Sequence, residues 1–519
     1  MNKLLGFSRG ARHALLGALA SASLLAAPAA HAEDKAKKDS DDVGLGLAPG
    51  SPQVGSLPGG IQPSYGQRSE DEQDYRFDYH GILVMPLRAG FNKRTGDVTP
   101  DQHTSVIHAP PVVPDYQDSF NYTTVVPQPY AQLMFSYGNN IVTGTASIVA
   151  RTASTATSFF QPPLQSGITD AFVTFNLPNL AKNMHVEANV GAFSNAYGQM
   201  GEYDLGHYGT PIIARINGVG ETIGGRFALG DLTLAVEQGI QMQFDKAPVG
   251  IASEGWNSFA RPEVGTGLAH HEHLGIGYRR QATLGLHFIQ AWTQDDRAAQ
   301  VSTADGTITT LGADFRFSAS HLGHLYVGGA YTKADHAESV GRIIEINNAQ
   351  GGFGLMQNYL GQDNKKGVSG SLMTIGGQYD LSLAHLLLYP RTFDGKSNDL
   401  VLSLFGMYTR TQSEDDTYDK VNMTKFGAEA GYSLASWFAF GGRLDHVSPN
   451  SKHGQRDFDI VSPRLIFRSD WQSRDQVVLQ YSHFFYRKHP LVRDGYPPVD
   501  APNINPDADM VSISANMWW

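Results

Sequence analysis

From residue 75 to residue 519 apolar and polar residues alternate with a period of two. Nowhere beyond the N-terminal leader do eighteen apolar residues run together. Successive side chains of an extended strand point to opposite faces, so this period describes a two-faced strand. A membrane-crossing helix needs about 20 apolar residues in a row, which excludes helical membrane folds. The first segment puts Tyr75, Phe77, Tyr79, Gly81, Leu83, Met85 and Leu87 on one face and Arg76, Asp78, His80 and Arg88 on the other. Further on, Leu232, Leu234, Val236, Ile240, Met242 and Phe244 alternate with Thr233, Glu237, Gln241 and Gln243. Leu284, Leu286, Phe288 and Trp292 are likewise opposed by Thr283, Gly285 and His287.

About eighteen such segments fall near 75–89, 129–138, 140–151, 167–177, 183–193, 220–229, 231–245, 269–279, 282–294, 306–318, 323–334, 368–380, 399–411, 422–434, 436–447, 457–469, 475–487 and 509–519. Most hold around ten residues or more, where strands of globular proteins average about five or six. That length suits a strand tilted across a bilayer. The connections alternate too. Gly138-Asn139-Asn140, Leu229-Gly230-Asp231, Arg280-Gln281 and Leu434-Ala435-Ser436 mark tight turns, between long links at 90–128, 152–166, 194–219, 246–268, 335–367 and 488–508. One stretch, 381–398, breaks the rule: a short turn is due there, yet 381–390 reads as a small apolar helix or hairpin. Two strands miscounted at that point would leave sixteen. The expected fold is all-β: a transmembrane antiparallel up-and-down β-barrel of about 18 strands, with short periplasmic turns and long extracellular loops.

The leader supports that destination. Lys3, Arg9 and Arg12 precede the apolar run 14–27, and Ala30-His31-Ala32 supplies small residues for cleavage, so 1–32 reads as a secretory signal peptide. Residues 33–73 read as a disordered periplasmic extension, a mixed charge run followed by Gly, Pro, Ser and Gln. The barrel then occupies 74–519. Loss of the leader removes three basic residues and no acidic one, taking the net charge from −11 to −14, which argues against a nucleic-acid partner. Zero cysteines leave no disulfide framework and no thiolate metal site. Mean hydropathy of −0.27 is compatible with a barrel, because each strand averages a lipid face with a lumen face.

The last strand puts Val511, Ile513, Ala515, Met517 and Trp519 on one face and Ser512, Ser514 and Asn516 on the other. It resembles the C-terminal insertion signal of Gram-negative outer-membrane proteins. Together with the leader, the strand count, the loop alternation and the stretch from Ser462-Pro463-Arg464-Leu465 to Tyr481-Ser482, the chain resembles bacterial outer-membrane porins, especially the larger substrate-preferring types. The resemblance implies passive diffusion of small hydrophilic solutes or ions through a water-filled channel in the outer membrane. Lipid, lipopolysaccharide and the barrel-assembly machinery would be its surroundings, and either a monomer or a homotrimer its state. It further implies that the third long loop folds inward as a constriction, with Tyr197, Glu202, Tyr203, Asp204, His207, Tyr208 and Arg215 as its contact residues and Gly198, Gly201, Gly206 and Gly209 allowing the path.

Parity assigns the lumen lining. Arg226, Arg316, Arg443, Arg464 and Arg468 each alternate with large apolar neighbours, and an arginine facing lipid at mid-depth costs roughly 2–4 kcal/mol. They should point inward, with Glu187, Glu237, Asp314 and Glu429 on the same face. The set reads either as a basic ladder for anions or as a lining balanced between signs. His270-His271-Glu272-His273 is not expected to bind a metal, since the four side chains divide between two strand faces. It reads instead as polar residues at a strand's extracellular end. No cofactor is expected. A barrel enzyme of lipase or protease type is the competing class, along with a plugged or partner-filled structural barrel. Ser482 and His483 lie on opposite faces, and His185, His287 and His446 form no constellation, so no catalytic residue is assigned.

Overall fold

The computed structural model describes residues 74–91, 130–152, 164–181, 183–200, 210–244, 266–279, 281–294, 306–319, 321–335, 344–345, 369–389, 398–414, 420–448, 458–468, 476–486 and 508–518. The leader and the 33–73 extension lie outside them. The strands are β1 (Arg76–Phe91), β2 (Tyr130–Gly138), β3 (Val142–Thr152), β4 (Leu164–Ala181), β5 (Met184–Met200), β6 (Thr210–Leu229), β7 (Leu232–Phe244), β8 (Thr266–Tyr278), β9 (Ala282–Gln294), β10 (Thr307–Ala319), β11 (Gly323–Asp335), β12 (Ile344–Glu345), β13 (Gly370–Ser382), β14 (Asp399–Ser413), β15 (Val421–Ala435), β16 (Phe438–Ser448), β17 (Phe458–Arg468), β18 (Gln476–Tyr486) and β19 (Ala508–Trp518). Each expected segment carries a strand, and the two-residue β12 is additional.

Apart from β12, every strand pairs antiparallel with its neighbours in the chain. The ladder then returns to its start, because β1 pairs with β2 along Arg76–Val84 and with β19 along Ile82–Phe91. Its eighteen long strands form an up-and-down β-barrel. Short turns gather at one rim. At the β2–β3 turn the Asn139 side chain accepts from the Ile141 and Val142 amides at 3.0 Å each, a local bond that favours Asn there. The described part of the 381–398 stretch holds a short helix, α1 (Leu383–Leu388), and the long strands among the described residues number eighteen. Ser382 caps it, its hydroxyl accepting from the His385 amide.

The two faces differ sharply. Outward stand exposed apolar groups such as Leu133, Phe175, Ile223, Val236, Leu284, Val327, Ile375, Leu404, Leu444, Leu465 and Ile513. Inward stand buried polar ones such as Thr145, Asn189, Thr310, Thr374, Ser403, Gln480 and Ser512. This is the inverse of a water-soluble sheet protein. An apolar belt of that extent is a surface for hydrocarbon, and closure removes the sheet edges that hydrocarbon would leave unsatisfied.

Candidate functional site

Strands β5 and β6 run much further than their expected bounds near 193 and 220. Pairing of β5 with β4 stops at Ala192 and that of β6 with β7 at Val219. Beyond those points the two strands pair with each other as far as Met200 and Thr210. This hairpin leaves the wall and enters the interior. Its Tyr197, Ile213, Ala214 and Ile216 are fully buried in one cluster with Ala269, Ile289, Ala291, Ile308, Ala334 and Leu372. All six wall residues have inward parity on β8 to β13. Full burial of Ile213 and of Ile216 contributes about 1.5–3 kcal/mol each.

Two glycines permit the approach. Gly312, on the inner face of β10, lies so close to Ile213 that a Cβ would come within 2.6 Å of its Cγ2. Gly198 has φ 67° at the register shift between Tyr197 and Gln199, a bulge that re-aims the hairpin. Departure from β7 exposes an edge of β6. Part of that edge is taken by β12, where Ile344 pairs with Ile216 and Glu345 with Arg215.

Polar contacts secure the hairpin to β7 and β8. Tyr197 Oη donates to Glu237 Oε1 at 3.2 Å, and Gln241 Nε2 donates to the Phe193 carbonyl at 3.1 Å. Asn195 Nδ2 lies 3.3 Å from His271 Nε2, which in turn lies 3.7 Å from Glu237 Oε1. The Tyr197 ring packs edge-on against His287, with centroids 5.5 Å apart. From there a buried relay crosses the wall. The Nδ1 atoms of His273 and His287 are 2.9 Å apart, and His287 Nε2 is 2.5 Å from Asp314 Oδ1. Arg316 Nε stands 3.6 Å from Asp314 Oδ2, and its guanidinium lies over the Tyr326 ring at 5.3 Å. With Glu237 only 1% exposed, such groups need partners in place of water.

A second charged group stands on β15 to β17. Arg464 Nη1 donates to Glu429 Oε1 at 2.6 Å, and Arg443 makes a two-point contact with Asp445, both bonds 2.9 Å. Arg443 Nη1 is 3.9 Å from Glu429 Oε2, and its guanidinium covers the Phe405 ring at 4.4 Å. Positive and negative groups alternate along this wall, so it is not a ring of one sign.

The remaining expected residues fall as follows. Arg226 lies on the inner face of β6 in register with His185, and Glu187 accepts from Asn189 at 3.0 Å. Arg468 ends β17, and Met517 pairs with Leu83. Glu202, Tyr203, Asp204, His207, Tyr208 and Trp519 lie outside the described residues, and Arg215 is placed through its backbone. Val511 and Ile513 are exposed on the outer face, and Ala515 is half-buried there.

The histidines require a correction. His271 and His273 are not polar residues at a strand's end but buried inner-face groups under the hairpin. His270 and Glu272 face outward, 3.6 Å apart. His287, read from the sequence as isolated, is joined to His273 and Asp314. Among the described residues no group of three or more His, Asp or Glu side chains is arranged to hold a metal ion. Ser482 Oγ lies 2.9 Å from Ser462 Oγ, while His483 contacts Asp509 on the other face. The sequence reading missed Asn195, Gln241, His271, His273 and His287. Their inward parity on β5, β7, β8 and β9 was the available signal.

No protein-family model matches the chain, and no curated protein does. Among solved structures it is similar to OmpT, an outer membrane protein of Vibrio cholerae in trimer form, at 10% identity and TM-score 0.36 over 86% of this chain and 99% of that one. It is also similar to OccD3 of Pseudomonas aeruginosa, at 7% identity and TM-score 0.37 over 90% and 96% of the two chains. For OccAB3 of Acinetobacter baumannii the values are 9% identity and TM-score 0.37 over 86% and 100%. Likenesses of this size leave the functional reading to the chain's own geometry.

Proposed function

We propose that the protein is an outer-membrane channel through which small hydrophilic solutes or ions diffuse down their own gradients, narrowed by the β5–β6 hairpin. The observation that carries this reading is the pairing of an apolar exterior with an ionisable interior in a ring of eighteen long strands. Rings of eight strands are filled by their own side chains, whereas sixteen to eighteen leave room for an aqueous passage. Here the hairpin takes up part of that room beside β7 to β13. The passage then runs beside the remaining wall, where Glu429, Arg443 and Arg464 stand on the inner face of β15 to β17. Charges of both signs there orient dipolar or ionic solutes without strong selection by charge. Single-channel conductance of refolded protein, with and without residues 198–215, tests the reading. A conducting channel that widens on deletion supports it, and a barrel that never conducts refutes it.

A further inference from the structure

Of the eight connections at the short-turn rim, the β13–β14 connection is the one that builds a helix among the described residues, α1. Its polar side is fully used. Asp399 accepts from Ser382 Oγ at 2.7 Å and from the Ala384 amide at 3.0 Å, and the buried His385 sits against Ser382. The last residues of the helix and its C-cap, Leu386, Leu387, Leu388 and Tyr389, are all exposed, with Leu387 at 77%. A connection facing water has no reason to present four apolar side chains in succession. Two contacts tie this face to the barrel exterior. Tyr389 stacks on His321 in the β10–β11 turn, with centroids 4.0 Å apart, and the next residue of that turn, Leu322, is itself exposed. The Leu322 carbonyl accepts from Tyr379 Oη at 2.8 Å, and Tyr379 has the outward parity of Ile375 on β13. The exposed face of α1 therefore continues the apolar belt at its lower margin.

We infer that α1 is a membrane-interface foot that seats in the head-group boundary of the leaflet at the short-turn rim. The occupant is phospholipid, because the patch adjoins the surface already fitted to hydrocarbon and ends on tyrosine, a residue suited to that boundary. Leucines bury in the acyl margin while the Ser382–Asp399 side stays with the barrel wall. The inference rests on the reading that the ring spans a bilayer, and the experiment separates the two.

The chain has no cysteine, so a single introduced thiol can carry an environment-sensitive fluorophore. Leu387→Cys reports α1, Leu404→Cys reports the outward belt, and Glu414→Cys reports the far rim. Each labelled protein is inserted into phosphatidylethanolamine–phosphatidylglycerol vesicles containing nitroxide-bearing lipid. Quenching with blue-shifted emission at 387 and 404, with neither at 414, is the expected result. Quenching at 404 with a water-exposed signal at 387 overturns the foot while leaving the bilayer reading intact. A label at 387 shielded from water yet unquenched by lipid also overturns it. Re-exposure on deletion of 33–73 would then identify that segment as the occupant. Absence of quenching at 404 overturns both.

Discussion

The docked hairpin can be displaced from the wall side without touching the hairpin itself. Gly312 lies on the inner face of β10, and a Cβ there would meet three Ile213 side-chain atoms at 2.6, 2.9 and 3.1 Å. In Gly312→Val the wall strand gains a residue with higher strand propensity, so the barrel should assemble normally. The hairpin, by contrast, loses its seat. Overpacking of this kind costs about 1–3 kcal/mol, which is roughly a 5- to 150-fold shift from docked to undocked hairpin at 1.4 kcal/mol per factor of ten. Single-channel recording should show more frequent large-conductance excursions, with heat-modifiable migration unchanged. Ile213→Ala removes the opposing atoms, so combining it with Gly312→Val should give a non-additive effect of about 0.5–3 kcal/mol, in the direction of relief. Wild-type current traces from Gly312→Val would refute the claim that docking over Gly312 limits the channel. Strictly additive effects of the two substitutions would refute the specific contact.

The outer face should be graded by depth. Leu404→Arg, in the belt, should lower unfolding stability in lipid by about 2–4 kcal/mol, and Leu229→Arg, at the rim, by about 0–1; equal costs would contradict the assignment of the belt. Glu429→Ala removes the partner of Arg464 and should destabilise by about 3–5 kcal/mol in urea titration. It should also move the reversal potential in a KCl gradient toward anions, and no movement would place this wall away from the ion path. Removing Trp518 and Trp519 deprives β1 of the partner of Ile82. Assembled barrel in the membrane fraction should fall, while molecules that do assemble should conduct normally; normal yield would contradict a role in closure.

The barrel was legible because its signal is repetitive. Each long strand repeats the same two-face pattern, and an error at one strand end does not propagate to the next. The 381–398 stretch was legible as an anomaly, and its apolar run became α1. The hairpin's interior course was legible only by family resemblance, although a physical signal was present. Ala269, Ile289, Ala291, Ile308, Ala334 and Leu372 are apolar residues at inward parity on five strands, where a wetted wall would favour polar ones. They mark the place where another part of the chain must cover the lumen. The polar contacts were less accessible. Strand parity predicts that His271 and His273 face inward, but not that β5 crosses above them. Nothing local in the sequence places Asn195 beside His271, 76 positions away. The β12 pairing was likewise invisible, since two residues carry no periodicity.

The most direct test of the channel is single-channel recording in planar bilayers from purified, refolded protein, side by side with protein lacking 198–215. Discrete conductance steps from the full chain, and larger steps from the shortened one, are the predicted result. Persistent silence from a correctly assembled full-length barrel would contradict the channel. Equal steps from the two proteins would leave a channel but contradict the hairpin as its constriction.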